Sequence, residues 1–482
     1  MTMFREVLYT LSWILILSIC AISVAAAQTK QQQLITLFDT LSNRQNFNGC
    51  VLISDQGEVL LQSAYGIGRA GTQRRLTNES RFEIGSITKA FTAIAIMQLK
   101  EKGLLQYDDS LTRFLPELPF PRVTIKHLLS NISGIEEFLS WTEGEIDMSA
   151  SQSNASIIGT LSEKKTQPSF VPGQGFHYSN TNYLLLASII EIVSNIPFEE
   201  YLSRNIFKPC GMQNTSVGAR HKRSLSLEYA YDYSWDGSQN RLVQTDSLKR
   251  YPKFMSGIKG AYGIFTTSSD LFRWVQALSD YKLVSAATFN EAMTPSFIKD
   301  GTMVAEVSPG IPYAAGWSII PDDSGSNNMF SSGIYGGYTS LVVRNSSRER
   351  TVILLSNSNE TTDLMGVMNH VDEILESERL SFPDLVRPKR GISLPEKQLR
   401  GYSGKYRAIK GASDELCIVF ANNHLYGKFN HFMEQNLFPE SENVLFANEA
   451  ESKLIFKSGS DGNVLGFTLT GSGIERYFEK VR

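Results

Sequence analysis

The first clear pattern of apolar and polar positions is an alternation with a period of two. It runs over residues 49–54 and 59–63, on either side of the turn signal Asp55-Gln56-Gly57, and it predicts a β-hairpin. A different pattern follows Ser86, where residues 90–97 are apolar nearly all round. Such a run predicts a helix buried in the middle of a domain, with Gly103 as its terminator.

Further helix and strand patterns follow toward the middle of the chain. Helical periodicity predicts helices at residues 124–129, 183–193, 270–278 and 364–377. Alternation predicts paired strands at residues 338–343 and 351–356, separated by a polar stretch. Early strands, central helices, late strands and a final helix indicate an α+β fold, in which an antiparallel sheet packs against a helical cluster.

A change of pattern near residue 381 predicts a domain boundary. Residues 381–398 contain three prolines, which is typical of a linker. Beyond them only short strand patterns occur, at residues 417–420, 424–428, 444–446, 454–457, 464–470 and 476–479. They predict a small all-β barrel or sandwich. The expected division is therefore a main domain at 28–380, a linker at 381–396 and a C-terminal β domain at 397–482.

Residues 1–27 have the pattern of a secretory signal peptide. Arg5 precedes an uncharged apolar run that ends on Ala25-Ala26-Ala27, and small residues of this kind mark a cleavage site. We therefore predict an exported protein, periplasmic or secreted. Two alternatives stay open. The run is almost long enough to be a retained membrane anchor, and Cys20 offers a lipidation site, which the bulky Ile19 before it disfavours.

Composition and charge narrow the function classes. The 482 residues carry a formal net charge of -3, without the basic excess that is typical of nucleic-acid-binding proteins. The six histidines form no metal-binding motif and no C-x-x-C is present, so we predict neither a metal nor another cofactor. The cysteines Cys50, Cys210 and Cys417 are widely spaced and could form at most one disulfide bridge; they are interpreted as buried free thiols.

Ser86 and Lys89 form an S-x-x-K motif, and this spacing places both side chains on one face of a helix. A serine hydroxyl becomes a strong nucleophile when a neighbouring base removes its proton. A lysine can be that base when burial keeps it neutral. The motif alone is weak. The same spacing also starts at Ser162, Ser256, Ser279 and Ser296. The structural alternative for Ser86 is a helix N-cap.

Tyr178-Ser179-Asn180 is the only Y-x-N in the sequence, and it precedes a predicted helix. A tyrosine hydroxyl beside a lysine can relay a proton to a leaving group, and an asparagine amide can donate a hydrogen bond to a substrate carbonyl. The structural alternative is a loop tyrosine followed by an asparagine that caps the helix.

Several ordered blocks resemble the serine β-lactamase and penicillin-binding-protein superfamily, in the branch with class C β-lactamases, D-stereospecific peptidases and β-lactamase-like esterases. The blocks are residues 82–89, 127–134, 178–183, 209–215, 267–271 and 316–317. The C-terminal segment resembles the lipocalin-like β domains of some members. The resemblance implies an acyl-enzyme on Ser86, a base system of Lys89 and Tyr178, and Asn180 beside the acyl part of the substrate.

The third motif of that superfamily, K-T-G, K-S-G or H-x-G, is replaced in this chain. The corresponding stretch is Ser331-Ser332-Gly333, with Ser331 at the position of the usual cation. By the resemblance, the backbone N–H groups of Ser86 and Ile334 form the oxyanion hole. A literal K-S-G at residues 457–459 lies in the predicted β domain and is interpreted as a turn.

The replaced cation changes the expected substrate. A neutral Ser331 gives no charge pairing with a substrate carboxylate, although Lys259 is a second candidate for that charge. We therefore predict an esterase or a D-amino-acid peptidase or amidase, whose partner is a small-molecule or peptide substrate, with cell-wall material among the candidates. The alternatives are a penicillin-binding D,D-carboxypeptidase or β-lactamase, and a catalytically inactive sensing or binding protein that keeps the fold.

Overall fold

The computed structural model describes most of the chain after the predicted signal peptide. The described ranges are 29–69, 74–141, 145–147, 150–218, 228–236, 241–245, 253–304, 311–321, 327–358, 361–383, 391–409, 415–421, 424–429, 435–447, 452–471 and 474–481. The predicted signal peptide at residues 1–27 lies outside these ranges, and so does part of the predicted linker. Export and the domain boundaries therefore stay predictions.

The helices surround a central sheet and one of them opens the C-terminal region. In chain order they are α1 (Lys30–Asn43), α2 (Thr88–Glu101), α3 (Ile125–Leu129), α4 (Asn154–Lys164), α5 (Asn180–Ser194), α6 (Phe198–Leu202), α7 (Lys208–Cys210), α8 (Ser268–Ser279), α9 (Ala286–Ala292), α10 (Leu364–Ser377) and α11 (Glu396–Tyr402). The predicted helices are confirmed as α2, α3, α5, α8 and α10, whereas α1, α4, α6, α7, α9 and α11 were not predicted.

The strands form one large sheet, one barrel and three small ribbons. In chain order they are β1 (Gly49–Asp55), β2 (Glu58–Tyr65), β3 (Ile67–Arg69), β4 (Arg74–Arg75), β5 (Phe82–Glu83), β6 (Ser216–Val217), β7 (Tyr233–Asp236), β8 (Arg241–Gln244), β9 (Ile264–Thr266), β10 (Tyr313–Ala314), β11 (Trp317–Pro321), β12 (Asn327–Tyr335), β13 (Tyr338–Asn345), β14 (Arg350–Ser356), β15 (Gly404–Ala408), β16 (Glu415–Ala421), β17 (His424–Phe429), β18 (Gln435–Ser441), β19 (Val444–Ala447), β20 (Ser452–Ser458), β21 (Val464–Gly471) and β22 (Ile474–Lys480). The large sheet is antiparallel, in the order β10-β11-β12-β13-β14-β1-β2.

The large sheet separates two apolar layers, one on each of its faces. Successive side chains of a strand point to opposite faces. In β1, Cys50 and Leu52 pack with α2, α5 and α8, whereas Val51 and Ile53 pack with α1 and α10. Every residue of β1 and β14 is buried, because both faces are covered. The α+β prediction is confirmed, and the unpredicted α1 completes the second layer.

Helix α2 lies in the larger of the two layers, and its residues from Thr88 to Leu99 are all buried. The Phe91 ring stacks on Trp274 at a centroid distance of 4.0 Å, and burial of a side chain of this size contributes about 1.5–3 kcal/mol. Gly103 follows the helix with a φ of 71°, a left-handed conformation that favours glycine. This buried helix fixes the position of the residues at its N-terminal end.

The C-terminal region is a closed antiparallel barrel of the eight strands β15 to β22. Six of these strands were predicted. Strand β18 was not predicted because polar residues and Pro439 interrupt its pattern, and its pairing with β19 shifts register there. Strand β15 was not predicted because it alternates apolar with charged residues over only five positions. The K-S-G stretch at 457–459 ends β20 in a turn, where Gly459 N–H donates to Asn463 O over 2.9 Å, so its interpretation as a turn is confirmed.

The lengths of the helices in the described ranges and the grouping of the polar side chains there bear on membranes and metals. No single helix there has the length and hydropathy of a membrane span; α5 and the segment Phe198–Cys210, bent by 77°, meet those criteria only as a pair. No group of three or more His, Cys, Asp or Glu side chains in those ranges could hold a metal ion. Cys50, Cys210 and Cys417 are free thiols, and the first two are buried.

Candidate active site

Ser86 lies in a 3-10 turn, Gly85–Ile87, that connects β5 to α2. Gly85 has a φ of 53°, and its N–H donates to Glu83 Oε2 over 3.2 Å. A Cβ at this glycine would lie 2.7 Å from Ile334 N, so the turn and β12 meet backbone to backbone. Ser86 caps neither helical segment, since the cap positions are Ile84 and Ile87, and its interpretation as an N-cap is wrong.

Lys89 is almost completely buried, with 1% of its surface exposed. Its Nζ lies 3.0 Å from Ser86 Oγ, 2.8 Å from Asn180 Oδ1 and 3.1 Å from the carbonyl oxygen of Ala261. An ammonium group donates to all three. A neutral amine would donate to the amide and carbonyl oxygens, which only accept, and would present its lone pair to the Ser86 hydroxyl. The two fixed acceptors therefore hold the amine beside the Ser86 hydroxyl.

Two tyrosine rings enclose the same amine. Lys89 Nζ lies 4.8 Å from the centroid of the Tyr178 ring and 5.7 Å from that of Tyr183, and aromatic faces attract cations at such distances. The Tyr178 ring stands edge-on to Tyr313, with centroids 6.3 Å apart. Tyr313 in turn donates to the Tyr183 hydroxyl over 3.1 Å, and Tyr183 donates to Leu129 O over 2.9 Å. This chain of hydroxyl groups fixes one wall of the site.

Strand β12 forms the opposite wall. Ser331 is 5% exposed, and its hydroxyl donates to the carbonyl oxygen of Gly316 over 2.9 Å. Gly333 has no room for a side chain, because a Cβ there would lie 2.0 Å from Ile84 O and 2.7 Å from Ser86 N. The close approach brings the backbone of residues 333–334 beside the N–H of Ser86.

These walls border a small polar cleft. It is lined by Ser86, Lys89, Tyr178, Tyr313, Gly316, Ser318, Ser331 and Ser332. The structure therefore brings together four of the predicted site residues in the cleft, with Asn180 behind Lys89 and the 333–334 backbone beside Ser86. The lining positions Tyr313 and Ser318 were not identified from the sequence, because they lie on short strands without a motif of their own.

Glu137 is a buried carboxyl group next to the site that was also not identified from the sequence. Its Oε2 accepts from the backbone N–H of Asn180, and its Oε1 accepts from that of Leu139 over 3.1 Å. Burial raises the pKa of the Glu137 carboxyl, while these N–H donors and the charge of Lys89 act in the opposite direction. The sequence offered one clue to Glu137, because it lies three residues after Gly134, the last residue of the superfamily-like block 127–134.

Other recognised blocks hold the fold rather than line the cleft. Asp270, in the block 267–271, is fully buried and accepts from Asn214 N over 2.7 Å and from Thr215 Oγ1 over 2.8 Å, both in the block 209–215. It also pairs with Arg273 Nη1 at 2.6 Å. The two blocks thus form one buried polar junction.

The remaining S-x-x-K serines bond to groups other than their lysines. Ser162 donates to Glu117 O, Ser256 to Ser151 Oγ and Ser279 to Val275 O, and Ser296 shares a hydrogen bond with Ser130. Lys259, the second candidate for the missing cation, pairs with Glu199 at 2.6 Å. Its charge is therefore engaged outside the cleft.

Residues 34–375 match the family described as Beta-lactamase. The chain belongs to the β-lactamase family. It is 31% identical over 441 residues to "Penicillin-binding protein 4*" of Bacillus subtilis (strain 168), a match that covers 90% of this chain and 95% of that protein. The resemblance stated from the sequence is confirmed, and family membership indicates a serine hydrolase of the β-lactamase superfamily.

Solved structures share the fold of this β-lactamase-family protein. The octameric penicillin-binding protein homologue from Pyrococcus abyssi has a TM-score of 0.60 at 23% identity and covers 93% of this chain and 99% of its own. The D-amino acid amidase from Ochrobactrum anthropi SV3 has a TM-score of 0.55 at 24% identity and covers 70% of this chain and 95% of its own.

Proposed function

We propose that this protein hydrolyses esters or amides through an acyl-enzyme on Ser86, and that its substrates carry no free carboxylate beside the scissile bond. Carboxylic esters and D-amino-acid amides or peptides with a free amino end fit this description. The observation that carries the proposal is the state of Ser331, a neutral residue whose hydroxyl proton is already donated to Gly316 O.

The acylation step follows from the contacts of Lys89. Ser86 Oγ attacks the carbonyl carbon while its proton passes to Lys89 Nζ, 3.0 Å away. The resulting oxyanion accepts from the N–H groups of Ser86 and Ile334, and each such donor lowers the barrier by about 3–4 kcal/mol. The bond to the leaving group then breaks, and the proton returns to that group through the Tyr178 hydroxyl. The 3.0 Å distance supports Lys89 as the first acceptor.

Deacylation uses the same groups in reverse. A water molecule takes the place of the leaving group, gives its proton to the base and attacks the acyl carbon. Breakage of the bond to Ser86 Oγ releases the acid and restores the serine hydroxyl. The Asn180 side chain, whose Oδ1 accepts from Lys89, retains two amide N–H groups for the acyl part of the substrate.

The substrate preference follows from charge. Of the eight residues that line the described cleft, Lys89 alone can be cationic, and it must be neutral before it can accept the Ser86 proton. A substrate carboxylate would therefore lose water without gaining an ion pair, which is costly. The name of the D-amino acid amidase of the same fold adds support for an amide substrate.

Labelling of the purified protein tests the nucleophile. A fluorophosphonate probe is expected to modify wild type on Ser86 and to leave Ser86→Ala unmodified, with Ser162→Ala, a matched S-x-x-K serine, as the control. An adduct that survives Ser86→Ala, or no adduct on wild type, contradicts the proposed nucleophile.

Relative turnover tests the substrate class. The substrates are p-nitrophenyl butyrate, D-alanine p-nitroanilide and nitrocefin, each rate being divided by its uncatalysed rate. The kcat/KM of the ester or the D-anilide is expected to exceed that of nitrocefin by about 100-fold. This ratio corresponds to about 2.7 kcal/mol, the size of the one charged interaction that the nitrocefin carboxylate does not make here. Equal or better nitrocefin turnover contradicts the carboxylate argument.

A second candidate function is penicillin binding, which the name of the Bacillus subtilis relative favours. Fluorescent penicillin distinguishes it. A long-lived adduct on Ser86 without turnover of the ester or the anilide would support this candidate over the first. Absence of both adducts and turnover would support the non-catalytic alternative.

A further inference from the structure

Helix α5 carries Asn180 as its first residue, and its N-terminus is not capped in the ordinary way. The N-cap residue, Ser179, makes no side-chain cap hydrogen bond, although the first N–H groups of a helix need acceptors. The N–H of Asn180 instead donates to Glu137 Oε2, from a residue 43 positions earlier in the chain. A distant carboxyl group thus replaces the local cap at the residue that contacts Lys89.

The loop around Glu137 holds the start of α5 by further contacts. Thr181 Oγ1 donates to Glu136 O over 2.8 Å and accepts from Phe138 N over 3.0 Å. Glu137 itself is 1% exposed and also accepts from Leu139 N. Three consecutive residues, 136–138, therefore bind the first two residues of the helix. This arrangement fixes Asn180 Oδ1 at 2.8 Å from Lys89 Nζ.

We propose that Glu137 is a positioning residue for the Lys89 base: it holds Asn180 in place by accepting its backbone N–H, and its negative charge favours the protonated form of Lys89. The inference rests on the proposed function, in which Lys89 accepts the Ser86 proton. It assigns a role to a buried carboxyl group that reaches the site through Asn180 and through the charge of Lys89.

The charges around the pair come from several elements. Lys89 faces the rings of Tyr178 and Tyr183 and the charge of Glu137. The buried Tyr262 faces Glu137 as well, and burial, with the neighbouring Tyr335, Glu137 and Glu83, raises its pKa. Tyr262 is therefore neutral in the working range of pH. The buried Glu83 carboxyl accepts from Gly85 N and Gly263 N and is unchanged in every variant below, so a substitution at Glu137 changes one charge beside Lys89.

Three variants separate position from charge. Glu137→Gln keeps an acceptor oxygen for Asn180 N–H but removes the negative charge, whereas Glu137→Ala removes both. Glu136→Gln is the matched control, because Glu136 is the adjacent carboxylate and pairs with Lys164 at 3.3 Å on the surface. Each variant is measured as kcat and KM over pH 5–10 with p-nitrophenyl butyrate, after thermal unfolding has shown that it is folded.

The expected results differ between the variants. In Glu137→Gln the protonated form of Lys89 loses a favourable negative charge beside it. The acid limb of the pH profile of kcat/KM therefore moves to lower pH by about one unit. The plateau kcat stays within about threefold of wild type. In Glu137→Ala the plateau kcat falls about 100-fold through misplacement of Asn180 and Lys89, with KM nearly unchanged. Glu136→Gln keeps the wild-type profile. An unshifted acid limb in Glu137→Gln, or a wild-type plateau in Glu137→Ala, overturns the proposal.

Amide hydrogen exchange gives a readout that does not depend on activity. Peptides that cover residues 178–182 are expected to exchange faster in Glu137→Ala and at the wild-type rate in Glu137→Gln. Unchanged exchange in Glu137→Ala overturns the positioning role even if the protein has no hydrolase activity. Absence of a fluorophosphonate adduct on wild type overturns the proposed function instead, so the two failures are distinguishable.

Discussion

Lys89 Nζ lies 3.0 Å from Ser86 Oγ, although the serine belongs to a 3-10 turn and the lysine to the helix that follows it. The turn is kept in register with the helix by the backbone of β12, which leaves no space for a side chain at Gly85 or Gly333. The amine is kept in place from behind by Asn180 and Ala261. The proposed nucleophile and its proposed base are thus positioned by separate parts of the fold, and each part can be tested by itself.

Removal of the amine is expected to abolish acylation while the fold persists. Lys89→Ala takes away the base, and general base catalysis contributes about 10²–10⁴-fold, so the rate of fluorophosphonate labelling falls by that factor. The loss of a buried amine is tolerated because its acceptors Asn180 and Ala261 are polar groups that a water molecule can satisfy. Circular dichroism checks the fold, and the labelling rate checks the loss of the base.

The control for this variant is Lys282→Ala, which changes an exposed lysine of another S-x-x-K. Labelling of Lys89→Ala at the rate of this control contradicts the base role.

A change at Ser331 is expected to alter which substrate is preferred. Ser331→Ala keeps ester turnover within about threefold, because the hydroxyl bonds to Gly316 O and not to the substrate. Ser331→Lys introduces the cation that pairs with a carboxylate, so nitrocefin turnover rises about tenfold relative to the ester. The kcat/KM ratio of nitrocefin to p-nitrophenyl butyrate measures the effect. A large loss of ester turnover in Ser331→Ala would instead place the hydroxyl on the substrate.

A side chain at Gly333 is expected to damage the oxyanion hole. In Gly333→Ala the added Cβ lies 2.0 Å from Ile84 O and 2.7 Å from Ser86 N, so the turn and β12 must move apart. Loss of one donor costs about 10²–10³-fold in kcat. Gly159→Ala is the control, because Gly159 lies in the middle of α4 and nothing lies within 4 Å of a Cβ added there. This variant is expected to keep its activity and to gain about 0.5–1 kcal/mol of stability. Wild-type kcat in Gly333→Ala would rule out the close approach.

The thiols are expected to differ in reactivity. Burial raises the pKa of the Cys210 thiol to about 11 and raises that of Cys50 as well. The thiolate is the reactive form, and a raised pKa keeps the thiol protonated, so about one Cys210 in 1000 is ionised at pH 8. Iodoacetamide at pH 8 is expected to modify the half-buried Cys417 first, about 100-fold faster, as followed by peptide mass spectrometry.

Unfolding provides the control for the thiols. In urea Cys50, Cys210 and Cys417 are expected to react at similar rates, and a fourth reactive thiol, Cys20, is expected only in protein that retains the predicted signal peptide. Rapid modification of Cys50 or Cys210 in the native protein would contradict their burial.

Much of the helical and strand framework was predictable because its signals are local. The apolar residues at the centre of β1 fit a strand that is covered on both faces, and the apolar run in α2 fits a helix that is buried all round. Strand β18 gave no such signal, because polar residues and Pro439 interrupt its apolar positions and its pairing with β19 shifts register. Helix α1 covers the outer face of the sheet with a stripe of only a few apolar residues among glutamines, which is a weak pattern.

The sequence by itself indicated the pair of Ser86 and Lys89, because a separation of three residues along a helical turn places two side chains on one face. The serines of the other four S-x-x-K stretches bond elsewhere, so packing decides whether such a pair forms. The sequence also supplied Tyr178 and Asn180 as a motif. The tertiary structure alone decided that Asn180, 91 positions from Lys89, accepts from its amine, that Glu137 caps α5, and that the Ser331 hydroxyl bonds to Gly316. These contacts join distant segments through packing of the sheet against the helices, and such contacts leave no periodic trace in the chain.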